Sequence, residues 1–182
     1  MSLRCRFLSS LMATVALASA PATTQMDEYS IKAAYLYNFS KYVGWPDGTF
    51  SAPTTPFVIC VVGDDPFGGR LDDTVAGKTS GDGRPLAVRH PKADDSAALH
   101  ECQIVFLSKS EQKRSSKLLA AVRGAAVFTV ADFTPFAEEG GVANLRIDGS
   151  KVKVDLNMTA ANQANLKVSG KLQQVANLLQ SN

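Results

Sequence analysis

Histidine, tryptophan and cysteine are scarce in this chain, at two, one and three residues among 182. With so little histidine, His90 and His100 are the whole supply of side chains that titrate near neutrality without help, which narrows the room for hydrolytic chemistry. Each reads as an exposed loop or helix-end residue. No G-x-S-x-G elbow is present to raise a serine nucleophile. The stretch Gly63-Asp64-Asp65-Pro66-Phe67-Gly68-Gly69 lacks the G-x-G-x-x-G spacing that a dinucleotide needs. A metal site needs clustered ligands; His100-x-Cys102 is too sparse alone, although Cys60 and Asp64 could in principle come near it. Glu138-Glu139, ahead of Gly140-Gly141, reads as a solvated turn. A receiver-type phosphoacceptor site is suggested by Asp64, Asp65, Ser108-Lys109 and Thr129, but no aspartate ends the third predicted strand to accept the phosphoryl group. No catalytic residue, cofactor or metal is expected, and binding is favoured over chemistry.

Excess charge of either sign is also missing. The full chain has 19 Lys+Arg against 17 Asp+Glu. Residues 1–22 read as a secretory leader, with Arg4 and Arg6 before the short apolar stretch from Phe7 to Ala18 and a cleavage site after Ala22. They carry two of the arginines and no acid, so the remainder is formally neutral. A protein that neutralises nucleic-acid phosphates needs a basic patch, and none is visible. After the leader no run approaches the 18 apolar residues of a membrane span. The expected setting is the periplasm, with residues 23–182 forming one domain. Cys60 and Cys102 remain there; an even count in an oxidising compartment permits a disulfide, and two buried thiols are the alternative.

Against these absences stands an aromatic cluster. All four tyrosines fall between Tyr29 and Tyr42, followed by the single tryptophan, Trp45. Residues 27–43 are predicted as a helix capped by Asp27, with Ile31, Ala34, Tyr35, Asn38, Phe39 and Tyr42 on its buried face. Tyr37 points elsewhere, and Trp45 beside Pro46 pins the helix end. The run from Phe57 to Gly63 suits a strand buried on both faces of a parallel sheet. Asp64-Asp65-Pro66 reads as the start of a helix reaching Gly77. Further strands are predicted at 86–89, 103–107 and 126–130, with a helix between the last two capped by Ser108 or Ser110. Gly141 to Ile147 and Lys151 to Leu156 flank Asp148-Gly149 as an antiparallel hairpin. A last helix from Ser169 is expected to bury Leu172, Val175, Ala176 and Leu179.

Strand–helix units in this order predict an α/β fold: a mainly parallel, Rossmann-like sheet flanked by helices, with a C-terminal antiparallel hairpin and a terminal helix. In such folds ligands sit past the carboxyl ends of the strands. If this chain holds a small molecule, Asp64, Asp65, Ser108 and Asp132 are its candidate ligand-binding residues.

Several segments in order, K-A-A-Y-L-Y-N-F-S-K-Y-V-G-W-P (32–46), I-C-V-V-G-D-D-P-F-G (59–68), G-R-P-L (83–86), C-Q-I-V-F-L-S (102–108), G-G-V-A-N-L (140–145) and L-K-V-S-G-K-L (166–172), resemble the YfiR/HmsC-like proteins. The similarity spans about residues 27–180. It implies a periplasmic α/β regulator, often a homodimer, that is not an enzyme. Better-understood members hold an inner-membrane diguanylate cyclase inactive through its periplasmic domain, and an outer-membrane lipoprotein can sequester them. Release raises cyclic di-GMP and biofilm formation. A sensor kinase is the other type of membrane partner expected. The resemblance also implies that Cys60 and Cys102 form a redox-sensitive pair; the second, more C-terminal cysteine pair of some members is missing. An alternative reading is a periplasmic small-molecule-binding protein that feeds a membrane sensor.

Overall fold

Phe57–Val62 is buried at every position, as expected for a strand covered on both faces, and it organises the rest of the domain. The computed structural model describes residues 23–179; the expected leader lies outside them. In chain order the elements are α1 (Thr23–Tyr42), β1 (Val43–Gly44), β2 (Phe57–Val62), α2 (Arg70–Val75), β3 (Leu86–Arg89) and α3 (Ser96–His100). Next come β4 (Ile104–Leu107), a 3-10 turn (Lys109–Arg114), α4 (Ser115–Ala121), β5 (Phe128–Ala131), β6 (Ala143–Asp148) and β7 (Lys151–Asn157). The chain continues through α5 (Met158–Gln163), β8 (Lys167–Val168), α6 (Gly170–Val175) and β9 (Asn177–Leu179).

Seven strands form one sheet in the order β3-β2-β4-β5-β6-β7-β9. The first five run parallel, β7 returns antiparallel to β6 in the predicted hairpin, and β9 lies parallel to β7. The parallel α/β sheet with its C-terminal hairpin and terminal helix is thus the fold read from the sequence. Strand alternation sends side chains into two cores. Phe57, Ile59 and Val61, with Phe106, Phe128 and Leu156, pack beneath Ala33, Leu36 and Phe39 of α1, Leu71 of α2, Ala161 of α5 and Leu172 of α6. Val58, Cys60 and Val62 face the other way, onto Leu99 of α3 and Leu118 and Val122 around α4.

Cys60 and Cys102 meet in that second core as a disulfide with a Cα–Cα distance of 5.9 Å. Both residues are buried. The bridge ties β2 to the short segment between α3 and β4 and closes a loop of sequence separation 42.

Five local expectations need correction. The buried face of α1 is turned from the predicted one: Ala33, Leu36, Phe39 and Ser40 are buried together with Lys32, whereas Ile31 and Tyr42 are 37% and 39% exposed. Only Phe39 of the predicted stripe lies fully in the core, and Tyr35 is half-buried. The helix also starts before Asp27, which is therefore inside it rather than at its cap. The reason is chemical. A lysine and a serine interrupt the true buried stripe and weaken its apolar contrast, while tyrosines decorate a second stripe that looks equally apolar.

The helix expected from Asp64-Asp65-Pro66 begins only at Arg70, after Gly69 in the left-handed region at φ 86°. Asp65 instead fixes a tight turn, its Oδ1 accepting from Phe67 N–H at 2.8 Å. The segment after Ser108 opens as a 3-10 turn, and the Ser108 hydroxyl pairs with Ser110 rather than with a helix N–H. Finally α6 stops at Val175, which is 69% exposed. Residues Asn177–Leu179 satisfy the free edge of β7 as a strand, where Leu179 was expected to be helical.

Candidate functional site

Three places bring charged and polar side chains together. The first is the carboxyl edge of the parallel strands. From β2 the chain crosses to β3 on one side, and β4 flanks β2 on the other, so the switch point where α/β folds open a ligand crevice lies between β2 and β4. Here that space is filled from within. Gly63 follows β2 at φ 92°, and a Cβ on it would collide with the hydroxyls of Ser108 and Ser110. Asp64 N–H donates to Ser110 Oγ at 2.9 Å, and Ser108 and Ser110 share a hydrogen bond of 2.8 Å. Asp65 Oδ2 lies 3.4 Å from His90 Nε2. Asp64, Asp65 and Ser108 are therefore gathered at one end of the sheet, knitted into the turns that close it.

Beside this seam lies an open basin of about 390 Å³ lined by Gly63, His90, Lys92, Asp94, Glu111 and Arg114 among others. Glu111 is buried. Its Oε1 accepts from Arg114 at 2.6 Å, while its Oε2 has no hydrogen-bond partner. The exposed rim is of mixed charge, with Lys92 and Arg114 against Asp94, and the buried Glu111 carboxylate sits behind it.

Asp132, the fourth expected residue, follows β5 and belongs to a different network. Its Oδ2 accepts from Tyr29 Oη at 2.8 Å and from Lys32 Nζ at 3.1 Å. Lys32 is 2% exposed and also pairs with Glu28 one turn earlier on α1. Its ammonium lies 4.5 Å from the Tyr29 ring centroid. Burial pushes the Tyr29 hydroxyl pKa well above its ordinary value, and the negative charge of Asp132 and its acceptance of the hydroxyl proton push it the same way. Asp132 Oδ1 is buried without a hydrogen-bond partner. Tyr29 packs edge-on against Phe67, and Phe67 against Phe106, at centroid distances of 5.6 and 4.9 Å. This network anchors the start of α1 to the sheet. Its one signal in the sequence is Lys32 in helical phase with Leu36 and Phe39.

The third place is at the amino ends of the strands, where a groove of about 540 Å³ runs between the end of α1, the Pro46–Phe50 loop and the Gly81–Arg84 turn. Trp45 forms its wall, with the indole N–H donating to Ala126 O at 2.9 Å and the ring edge-on to Phe57 at 4.8 Å. Trp45 does pin the helix end. Arg84 straps the loop, donating through Nη1 to the carbonyls of Ala52, Pro53 and Thr55 and through Nε to Asp82 at 2.6 Å. Its guanidinium carbon is 3.9 Å from the Phe50 ring centroid. Burial alone would raise the Asp82 carboxyl pKa, but the hydrogen bonds from Ser80 and Arg84 outweigh it and hold the group below its ordinary value. Nothing in the sequence alone pointed to this groove, because its lining is drawn from four separated segments.

His100 Nε2 lies 2.8 Å from Ala121 O, and Glu138 and Glu139 are exposed in the turn before Gly141. Among the described residues there is no group of three or more His, Cys, Asp and Glu side chains placed to hold a metal ion, and no helix is long and apolar enough to cross a membrane.

Comparison with known proteins adds a family and a fold. The profile of the YfiR/HmsC-like family matches residues 29–177. No curated protein matches the chain. Among solved structures, a conserved domain protein from Vibrio cholerae is similar at 16% identity with a TM-score of 0.52, covering 68% of this chain and 54% of its own. An ABC domain in complex with L-Trp from Streptococcus pneumonia is similar at 10% identity with a TM-score of 0.51, covering 68% and 55%. The chain therefore spans about half the length of these structures, and identities this low speak for the fold alone.

Proposed function

This chain belongs to the YfiR/HmsC-like family, and from that premise we propose that it is a periplasmic regulatory binding protein. It represses an inner-membrane diguanylate cyclase, or a similar sensor, by binding the external domain, and so lowers cyclic di-GMP and biofilm formation. The family match over residues 29–177 is the observation that carries this reading. A regulator of this type works by differential affinity for two states of its target, with no covalent step. A filled switch-point crevice is compatible with a protein whose surface does the work. Deletion of the gene is expected to raise cyclic di-GMP and surface attachment; unchanged levels of both under all conditions would refute the reading. Co-purification of a membrane cyclase or sensor kinase with the tagged protein identifies the target, and an outer-membrane lipoprotein in the same eluate identifies the sequestering partner.

A second reading rests on the basin ringed by His90, Lys92 and Arg114, which lies where α/β proteins hold ligands. In that reading the chain binds a small molecule and passes the signal to a membrane sensor. Addition of a periplasmic extract is then expected to raise the melting temperature of the wild type and to leave a Lys92→Glu variant unmoved; no shift in the wild type counts against it.

A further inference from the structure

The basin beside Gly63 is bracketed by the ends of three neighbouring strands. Gly63 follows β2, His90, Lys92 and Asp94 follow β3, and Glu111 and Arg114 follow β4. These strands lie side by side in the order β3-β2-β4. The volume of about 390 Å³ falls within the range of small-molecule sites, roughly 300 to 1,000 Å³. Glu111 is the buried acid of the lining, its side chain only 7% exposed. Its Oε1 accepts from Arg114 Nη2 at 2.6 Å, and its Oε2 is buried with no donor. Gly63 makes room for it, since a Cβ at that position would lie 2.8 Å from Glu111 Cγ. A buried carboxylate oxygen without a donor is uncommon, because its lost hydration has not been replaced. It calls for an N–H or O–H from outside the chain, and a charged ammonium makes the stronger bond.

The rim decides what else such a molecule carries. His90 Nε2 already lies 3.4 Å from Asp65 Oδ2. Arg114 is 62% exposed and uses only Nη2 on Glu111, which leaves Nη1 and Nε for another acceptor. The side chains of Lys92 and Asp94 make no hydrogen bond or ion pair with any described residue. Lys92 and Arg114 thus stand against Asp94 and Glu111, two charges of each sign around one basin. An anion alone would be repelled by the carboxylates and a cation alone by the basic groups, whereas a molecule bearing both signs is matched at both ends. We propose that this basin takes a small zwitterion, a primary ammonium joined to a carboxylate or a phosphate. The ammonium donates to Glu111 Oε2, and the anionic group is held by Lys92 and the remaining N–H groups of Arg114. The proposal rests on the second reading above, in which the basin binds a small molecule, and names the class of that molecule.

Calorimetric titration of the purified full domain with three kinds of probe tests this. β-Alanine and O-phosphoethanolamine carry both signs, ethylamine carries the cation alone, and propionate and inorganic phosphate carry the anion alone. At least one zwitterion is expected to bind about tenfold or more tightly than any single-sign probe, and to raise the melting temperature. Which of the two binds tells carboxylate from phosphate. Glu111→Gln keeps the shape of the side chain and removes its charge, so it should bring the preference for the zwitterion over its amine-free counterpart close to unity, a change that a merely structural residue would not produce. Lys92→Glu, at an exposed site, should weaken zwitterion binding by about tenfold and leave the melting temperature of the free protein within a few degrees of the wild type. A single-sign probe that binds as tightly as the zwitterion, a preference that survives Glu111→Gln, or zwitterion binding indifferent to Lys92→Glu would each overturn the proposal. If neither zwitterion binds while a periplasmic extract still stabilises the wild type and not Lys92→Glu, the ligand class is wrong and the second reading stands; if the extract also gives no shift, both fall.

Discussion

Lys32 shows how one residue can fix where a helix sits. It is an ammonium at 2% exposure, and such a group is tolerated only when its charge is matched and its protons are placed. Asp132 and Glu28 supply the match, so the first turns of α1 are tied to the end of β5. Removing one side of a buried ion pair leaves an uncompensated charge. Lys32→Ala is therefore expected to lower unfolding stability by about 3 kcal/mol, read by urea denaturation. The double change Lys32→Met with Asp132→Asn should recover most of that loss, since it removes the two buried charges and leaves only the part-exposed Glu28; no recovery would show that shape, not charge, dominates. Asp82 carries a pH dependence whose sign is fixed by its depressed carboxyl pKa. The folded form holds its proton less tightly than the unfolded chain, whose value is about 4. Its contribution is thus present above that value and lost as pH falls through the folded one. Wild type should lose more stability on acidification below pH about 4 than Asp82→Asn does.

At the scale of elements, α1 is where the sequence was most readable in kind and least readable in phase. Its presence, its end ahead of Gly44 and Pro46 and the role of Trp45 followed from residue types alone, whereas its start did not. Its orientation did not, because the stripe that faces the sheet includes Lys32 and Ser40 while the outward stripe carries Ile31 and Tyr42. Hydrophobic periodicity ranks faces by apolarity, and a helix with two nearly apolar faces defeats the ranking. The strands were easier, since burial on both sides leaves continuous apolar runs such as Phe57–Val62. The acidic turn after β2 was misread as a helix start because Asp and Pro serve turns and caps alike. The candidate ligand residues Asp64, Asp65, Ser108 and Asp132 all follow strands as expected, yet only the structure reveals that Ser110 and Glu111 fill the space beside Gly63. The Cys60–Cys102 bridge links two elements of the second core. Replacing both cysteines by alanine should cost roughly 3 to 4 kcal/mol in the loop-entropy picture, measured by urea denaturation under oxidising conditions. Equal stability of the two proteins would mean the bridge contributes nothing to folding.

For the whole molecule, the sheet divides labour between its two sides. The α3–α4 side is stapled covalently, and the α1–α6 side carries the exposed apolar residues. The staple sits on the side of the sheet away from the exposed apolar residues, so its reduction should leave that side unchanged. Reducing agent is expected to leave the sedimentation coefficient of the native protein unchanged at temperatures well below unfolding; a changed coefficient on mild reduction would contradict this division.

The ring closed by Cys60 and Cys102 has a further consequence for motion. It contains α2, the edge strand β3 and α3, so this excursion can lift from β2 but its two ends stay clasped. Opening there is a hinged, short-range breath, because the unzipped segment gains far less freedom than an untethered one. Amide exchange in β3 should therefore be slow in the oxidised protein and quicken selectively once the bridge is cut, with β5 and β6 scarcely affected. The staple then acts as a governor on the rate at which one margin of the sheet is lent to solvent.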